Sequence, residues 1–437
     1  MSEEYEYILQ PWEIESYIEN LEISDLEDIG KTSWFEYHKK LMHLNQQSIL
    51  DISHMHDEAV KEWFVTFQKI PILIHEAIQI SIWKQKIFPY LIESNKELSN
   101  TFMIYSILYH ENIAVSLMEN ILFHSDSIES MDDSTLDLID YAVSYLTSII
   151  FPKTKTNVQR PDNSWTTEIL IKKDEIEFDI SIKCIAIIGY LATRSDNLPL
   201  AFLKRLLSTH DVPYLFTQLI EKKPWIKVIN GERMIYTSKW DRVTKGEEDK
   251  ISKIEGQIWI CLRGLLLNPK CAPYYQITQF RISELTKLQK YLHEKVLDQI
   301  SPLIDLRRWL SYLNISSQPS ETKPTICVEL IPQIQATILE KYKKQWKKLA
   351  DTQLQLFHSK DMNYVKETAQ VLSDAYDVDK IIFEEKDKCA LCKEVASKRC
   401  SKCKSVWYCG RACQVKDWNT HKKICEQLVK KMGDAEK

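Results

Sequence analysis

Eight soft or borderline metal ligands crowd the C-terminal end of the chain with the spacing Cys389-x2-Cys392-x7-Cys400-x2-Cys403-x5-Cys409-x3-Cys413-x7-His421-x3-Cys425. That number suffices for two closed tetrahedral zinc sites. A closed site keeps no position for water, so its metal is structural and does not act as a Lewis acid. Each CxxC lets two thiolates chelate from one tight turn. The x3 spacings at Cys409/Cys413 and His421/Cys425 place each pair on one helical face, because residues i and i+4 are neighbours there. Lysines and arginines surround the cysteines, and a segment this short cannot bury a sufficient core without metal. A disulfide framework is a poor alternative for a long chain with no expected secretory signal, since Met1 to Tyr7 is acidic and lacks an apolar run.

Before this segment the pattern changes completely. From residue 1 to about 380, apolar residues recur at helical spacing nearly throughout. Ile14, Tyr17, Ile18 and Leu21 mark a first helix with Pro11 in its first turn, and Ser33 with Glu36 reads as a capping box for a second. Further segments are expected at Glu58–Lys69, Ile72–Phe88, Thr101–Phe123, Leu136–Phe151, Asp174–Thr193, Pro199–Leu207 and Pro213–Glu221. They resume at Lys250–Leu267, Gln279–Gln299, Pro302–Leu313, Pro332–Phe357 and Asp361–Tyr376. Residues 152–167 read as a polar surface loop and 316–323 as a linker, while Asn230-Gly231 amid Ile226, Val228, Met234 and Tyr236 signals a hairpin within 225–243. The fold class is therefore mainly α: a multi-helical body, either an armadillo- or HEAT-like stack or an irregular one, ahead of a zinc finger at 386–428 and a short tail at 429–437. No clean internal period selects a repeat architecture. Most of the body's tryptophans lie on apolar stripes and are expected in the core, with Trp165 in the polar loop the exception.

Several function classes lose support. Only 8 glycines occur in 437 residues, and neither GxGxxG nor GxxxxGK[ST] is present, so the phosphate-cradling loops of common nucleotide enzymes are missing. His110-Glu111 is not followed by the second histidine of an HExxH helix, and there is no GxSxG elbow. His54 and His56 beside Asp51 and Asp57 read as a solvated turn before they read as a metal site. Cys184 lies in the apolar run Ile182–Ile188 and reads as a small core residue. No apolar stretch approaches the roughly 18 residues of a membrane span. From Lys386 onward there are 14 Lys and Arg against 6 Asp and Glu, a formal +8 within a chain of −5, which leaves −13 for the body. A basic tail can signal nucleic acid, but seven zinc-bound thiolates would absorb much of that charge, and nucleic acid is disfavoured. An enzyme is not expected.

The ligand order resembles the MYND zinc finger, whose two ions are cross-braced. The resemblance implies two structural zinc ions, one held by Cys389, Cys392, Cys409 and Cys413, the other by Cys400, Cys403, His421 and Cys425. A RING finger interleaves its sites too, but its histidine falls earlier and its closing pair is CxxC. MYND fingers commonly bind proline-rich peptides, and the positions lining that groove map onto Ser401, Gln414 and Trp418; Trp418 packing the finger itself is the plainer alternative. Beyond the finger, Ile82–Pro89, Leu207–Pro213, Glu255–Trp259 and Ala396–Cys403 resemble a MYND-finger family of assembly factors for the axonemal dynein arms of motile cilia. That resemblance implies a cytoplasmic adaptor, with centriolar satellites and dynein assembly foci as further locations. Its implied partners are a leucine-rich-repeat assembly factor, Hsp90-type chaperones, immunophilin co-chaperones and axonemal dynein chains as clients. A nuclear co-repressor adaptor is the alternative. A methyltransferase of SET-plus-MYND type is a weaker one, since in those proteins the finger interrupts the catalytic domain near its start.

Overall fold

The computed structural model describes residues 8–55, 57–93, 101–152, 165–194, 199–243, 246, 249–315, 330–359 and 361–376, then 391–392, 396, 398–402, 407–418, 421–422 and 425. Helices dominate, as the apolar periodicity predicts. α1 (Pro11–Glu19), α2 (Thr32–His54), α3 (Ala59–Thr66), α4 (Ile70–Lys86), α5 (Phe88–Glu93) and α6 (Thr101–Leu122) come first. α7 (Ser125–Glu129), α8 (Ser134–Ile150), α9 (Trp165–Thr193), α10 (Leu200–Lys204) and α11 (Val212–Lys222) follow. Three strands, β1 (Ile226–Ile229), β2 (Glu232–Tyr236) and β3 (Trp240–Arg242), precede α12 (Lys253–Leu267), α13 (Gln279–Thr286), α14 (Glu294–Gln299) and α15 (Leu303–Ile315). The series ends with α16 (Ile334–Lys341), α17 (Trp346–Phe357) and α18 (Met362–Ala375). The chain divides into two compact units, Met1–Val371 and Leu372–Lys437. No helix among the described residues is long and apolar enough to cross a membrane.

Within the first unit α6 and α9 form the spine. α6 packs on α2, α4 and α9, and α9 packs on α8 and α12. Both are rich in buried β-branched and small residues, for example Ile104, Ile107, Ile113, Ala114 and Val115 on α6 and Ile180, Cys184, Ile187 and Ile188 on α9. The last helices return to the first: α16 lies on α4 and α17 on α5. Polar bonds tie that return. Trp83 Nε1 donates to Gln353 Oε1 at 2.7 Å, Gln353 Nε2 donates to the Leu26 carbonyl at 3.0 Å, and Asp137 caps α16 by accepting from Gln333 N and Ile334 N. Gly30 sits at this junction with φ +97°, and a Cβ added there would fall 3.0 Å from Phe357 Cε1. Gly30→Ala is expected to destabilise the body by about 1–3 kcal/mol, since it combines a left-handed backbone with a steric intrusion. A chemical-denaturation midpoint unchanged from wild type would refute this.

Four local readings are corrected and a fifth, the hairpin, is extended. α2 begins at Thr32 with Lys31 before it, so Ser33 lies inside the first turn and makes no capping bond. α9 starts at Trp165, so residues 165–167 are helical and the rest of the loop, from 153, lies outside the described residues; the charged run 172–175 masks the periodicity that links Ile169, Ile176 and Ile180. Gln279–Gln299 breaks into α13, a 3-10 turn at Lys287–Tyr291 and α14, while Pro332–Phe357 breaks at an elbow between α16 and α17. Apolar spacing runs through such breaks uninterrupted, which is why it does not reveal them. The hairpin exists, with Asn230 (φ 51°) and Gly231 (φ 80°) both left-handed as a two-residue turn requires, but β3 extends it to a three-stranded antiparallel meander.

Trp34, Trp83, Trp225 and Trp259 are buried, Trp63, Trp165, Trp240, Trp309 and Trp346 half-buried, and Trp12 is exposed. Cys184, Cys261 and Cys271 are buried thiols. His54 Nδ1 lies against the Leu50 carbonyl and Asp51 accepts from Gln47, so these two do not converge on a metal; His56 lies outside the described residues.

The core also holds charges. The Lys84 ammonium donates to Tyr145 Oη at 2.7 Å and Glu177 Oε1 at 2.9 Å, and it lies 2.7 Å from Glu111 Oε2. Tyr141 and Tyr145 hydroxyls both donate to Glu111 Oε1, at 2.7 and 2.5 Å. Burial pulls the lysine's pKa down, but the charges of Glu111 and Glu177 outweigh it and hold the group well above its ordinary value. This cluster joins α4, α6, α8 and α9. Next to it His110 Nδ1 meets His38 Nδ1 at 3.0 Å, both rings fully buried beside Trp34. Burial first, and His110 second, hold His38 well below the usual imidazole range.

Candidate metal centre

The local frame of the second unit is small. β4 (Lys398–Arg399) pairs antiparallel with β5 (Trp407–Tyr408), setting Lys398 opposite Tyr408 and Arg399 opposite Trp407. The Arg399 guanidinium lies over the Trp407 ring, 4.3 Å from its centroid. Residues 411–418 are helical, begun by a bond from Gln414 N to the Gly410 carbonyl. This frame delivers the cysteines. Cys400 follows β4, Cys409 follows β5, and Cys413 lies one helical turn beyond Cys409.

Two clusters result. Cys392, Cys409 and Cys413 form the first, with Sγ separations of 3.5, 3.5 and 3.8 Å. Cys400, His421 and Cys425 form the second, all buried, with Cys400 and Cys425 Sγ atoms 3.9 Å apart. Four thiolates around zinc at about 2.3 Å define a tetrahedron of edge roughly 3.8 Å. The observed spacings match that edge and are far from the ~2.05 Å of a disulfide. The donor sets therefore fit zinc. Cys389 and Cys403, the fourth ligand expected for each set, lie outside the described residues.

The second cluster has an aromatic wall that the ligand spacing does not announce. Tyr408 and Trp418 both meet the His421 ring edge-on, with centroids 6.0 and 6.1 Å away. Tyr408 is fully buried and its hydroxyl donates to Asp417 at 2.6 Å, which fixes the ring. The one sequence signal is the pair Trp407-Tyr408 immediately ahead of Cys409. Of the expected peptide-binding residues, Ser401 is exposed in the turn after β4, Gln414 is half-buried, and Trp418 keeps 36% of its surface open while its edge packs on His421. Gln414 and Trp418 share one helical face; Val415, 66% exposed, lies beside them in sequence.

Comparison with known proteins agrees with this geometry. The MYND finger family matches residues 389–425. The zinc finger MYND domain-containing protein 10 homolog of Drosophila melanogaster is 33% identical over 448 residues, covering 95% of this chain and 98% of that protein. The chain belongs to that family. Shorter similarities are 40% identity over 48 residues to Tudor domain-containing protein 1 of Mus musculus, covering 11% of this chain and 4% of that one, and 48% over 40 residues to ubiquitin carboxyl-terminal hydrolase 19 of Arabidopsis thaliana, covering 9% and 6%. No solved structure matches. The similarity to the zinc finger MYND domain-containing protein 10 homolog thus spans body and finger alike, over nearly the whole length of both chains. Finger and family together mark an adaptor-type protein that binds structural zinc and other proteins.

Proposed function

We propose that this chain is an adaptor in the cytoplasmic preassembly of axonemal dynein arms. In this reading the finger carries two zinc ions, on Cys389, Cys392, Cys409 and Cys413 and on Cys400, Cys403, His421 and Cys425. Its helix 411–418 and the turn at Ser401 present Gln414 and Trp418 to a peptide of a partner. The body engages further proteins, so that dynein chains meet Hsp90-type chaperones, immunophilin co-chaperones and a leucine-rich-repeat assembly factor. Similarity to the zinc finger MYND domain-containing protein 10 homolog across body and finger alike carries the proposal. A finger borrowed onto an unrelated body would not give it. Trp418 supports the peptide surface, because an indole held against His421 with 36% of its surface open offers a rigid aromatic platform to an extended proline-rich segment.

Proximity labelling in ciliating cells tests it, comparing the full chain with one ending near Phe383. Dynein chains and chaperones should be labelled in the cytoplasm, at assembly foci and centriolar satellites, and the finger-dependent subset should vanish on truncation. A steady nuclear pool with chromatin partners would instead support a co-repressor adaptor. For the peptide surface, Trp418→Ala should reduce pulldown of finger-dependent partners by about tenfold or more, the loss of an aromatic anchor being on the order of 2 kcal/mol. Full retention by this variant and by Cys400→Ala would remove the finger as a docking site.

A further inference from the structure

The elbow between α16 and α17 carries the sequence Lys341-Tyr-Lys-Lys-Gln-Trp-Lys-Lys348, five lysines in eight residues, within a body whose net charge is strongly acidic. The structure presents all five on the surface. Lys341 pairs with Asp25 at 2.7 Å and Lys343 with Glu340 at 3.0 Å. Lys344, Lys347 and Lys348 have no ion-pair partner among the described residues. These three exposed lysines are close in sequence, and no ion pair among the described residues neutralises them.

Local backbone preferences are not the reason for these lysines. Lys344 adopts φ 69°, a left-handed conformation that glycine or asparagine would adopt more cheaply. Lys347 and Lys348 occupy the first turn of α17, where cations are disfavoured and no acidic residue compensates. Where local rules are broken without an internal gain, an external partner is the usual cause. The aromatic content of the elbow is also specific. Tyr342 is buried and its hydroxyl is held by Asp25, while Trp346 packs against it at 5.9 Å and stays half-buried beside the lysines.

We propose that this elbow is a second docking surface, one that receives an acidic segment of a partner protein. Its lysines would pair with several carboxylates, and the open part of Trp346 would take an apolar side chain between them. A protein segment fits better than a long polyanion or a membrane surface. The basic stretch is only eight residues long, and Glu340, Asp351 and the −13 of the surrounding body would repel phosphates that continued beyond it. The surface belongs to the first unit, so the proposal is independent of the finger and of the dynein reading.

The test uses the full chain and three probes: a short fluorescein-labelled polyglutamate peptide containing one leucine, a labelled oligo-dT of matching charge, and phosphatidylserine vesicles. Wild type should bind the peptide at low salt, with affinity falling as salt rises. Lys344→Ala/Lys347→Ala/Lys348→Ala should weaken it roughly tenfold, as expected for losing three exposed charge pairs. The matching Lys→Arg triple variant should retain binding, and both variants should keep the wild-type melting transition because the side chains are exposed. Equal peptide binding by the alanine variant overturns the proposal. So does tighter, lysine-dependent binding of oligo-dT or vesicles than of the peptide. Loss of binding in the arginine variant as well would also count against it, since the charge would then not be the determinant.

Discussion

Cys400→Ala, or removal of zinc by a strong chelator, should unfold the finger and leave the helical content of the chain nearly unchanged. The reason lies in how little else packs among the described residues of 391–425. Among the described residues the buried apolar set is Ala396, Cys400, Tyr408 and Cys425, with Trp407, Cys409 and Cys413 packed at its edge and His421 buried beside it. Three of these eight are ordinary apolar side chains and the other five belong to the metal-capable clusters. At about 25 cal/mol per Å² such a core contributes only a few kcal/mol, far short of the ordering entropy of roughly two dozen described residues at about 1–2 kcal/mol each. Structural zinc supplies an apparent 10–16 kcal/mol in comparable modules. The measurements are zinc released to a chromogenic chelator, two equivalents per chain, and limited proteolysis, which should cut the treated finger while the body persists. A finger that stays protease-resistant after complete zinc loss would contradict the structural role of the metal.

The second large effect is expected in the body. Glu111→Leu leaves the buried Lys84 ammonium without its main counter-charge, and Lys84→Met leaves Glu111 facing two phenols with its charge unbalanced. Breaking a buried pair from one side costs about 3–5 kcal/mol. For a body of this size that corresponds to a melting temperature lower by roughly 4–6 °C. Lys84→Met/Glu111→Leu should recover much of the loss, because two apolar side chains of similar volume carry no desolvation penalty. Additive losses in the double variant would show that the cluster matters through its shape and not through its charges. Glu177, which also accepts from Lys84 and is 30% exposed, should matter less than Glu111.

The contrast between these two sites explains what could be read from the chain. Zinc ligands are recognisable because coordination chemistry fixes residue type and local spacing together, so Cys409, Cys413, His421 and Cys425 stand out in a linear string. The mainly helical body is legible for the same kind of reason, through a short-range period. Lys84, Glu111, Tyr141, Tyr145 and Glu177 come from four helices, and each alone resembles a surface residue of its helix. Only tertiary packing makes them a unit. His110-Glu111 stands in the sequence as a dipeptide that does not complete a zinc-protease pattern, while its partners, His38, Glu76 and Lys84, are distant in sequence. Boundaries were lost where one signal hid another: charges at 172–175 concealed the start of α9, and continuous apolar spacing concealed the α16–α17 elbow. The finger's Tyr408–His421–Trp418 contacts lie between these cases, since adjacency to ligands hints at them but does not give their orientation.

The order of the two metal-capable clusters along the chain has a further consequence. Reading from residue 392, the members alternate between clusters: Cys392, then Cys400, then Cys409 and Cys413, then His421 and Cys425. A chain terminated just after Trp418 would therefore keep every described member of one cluster and still lose the closure of the loop that carries Cys400. Premature stop codons anywhere from Cys392 up to Cys425 should then behave alike as null alleles of the finger, with no graded series from mild to severe.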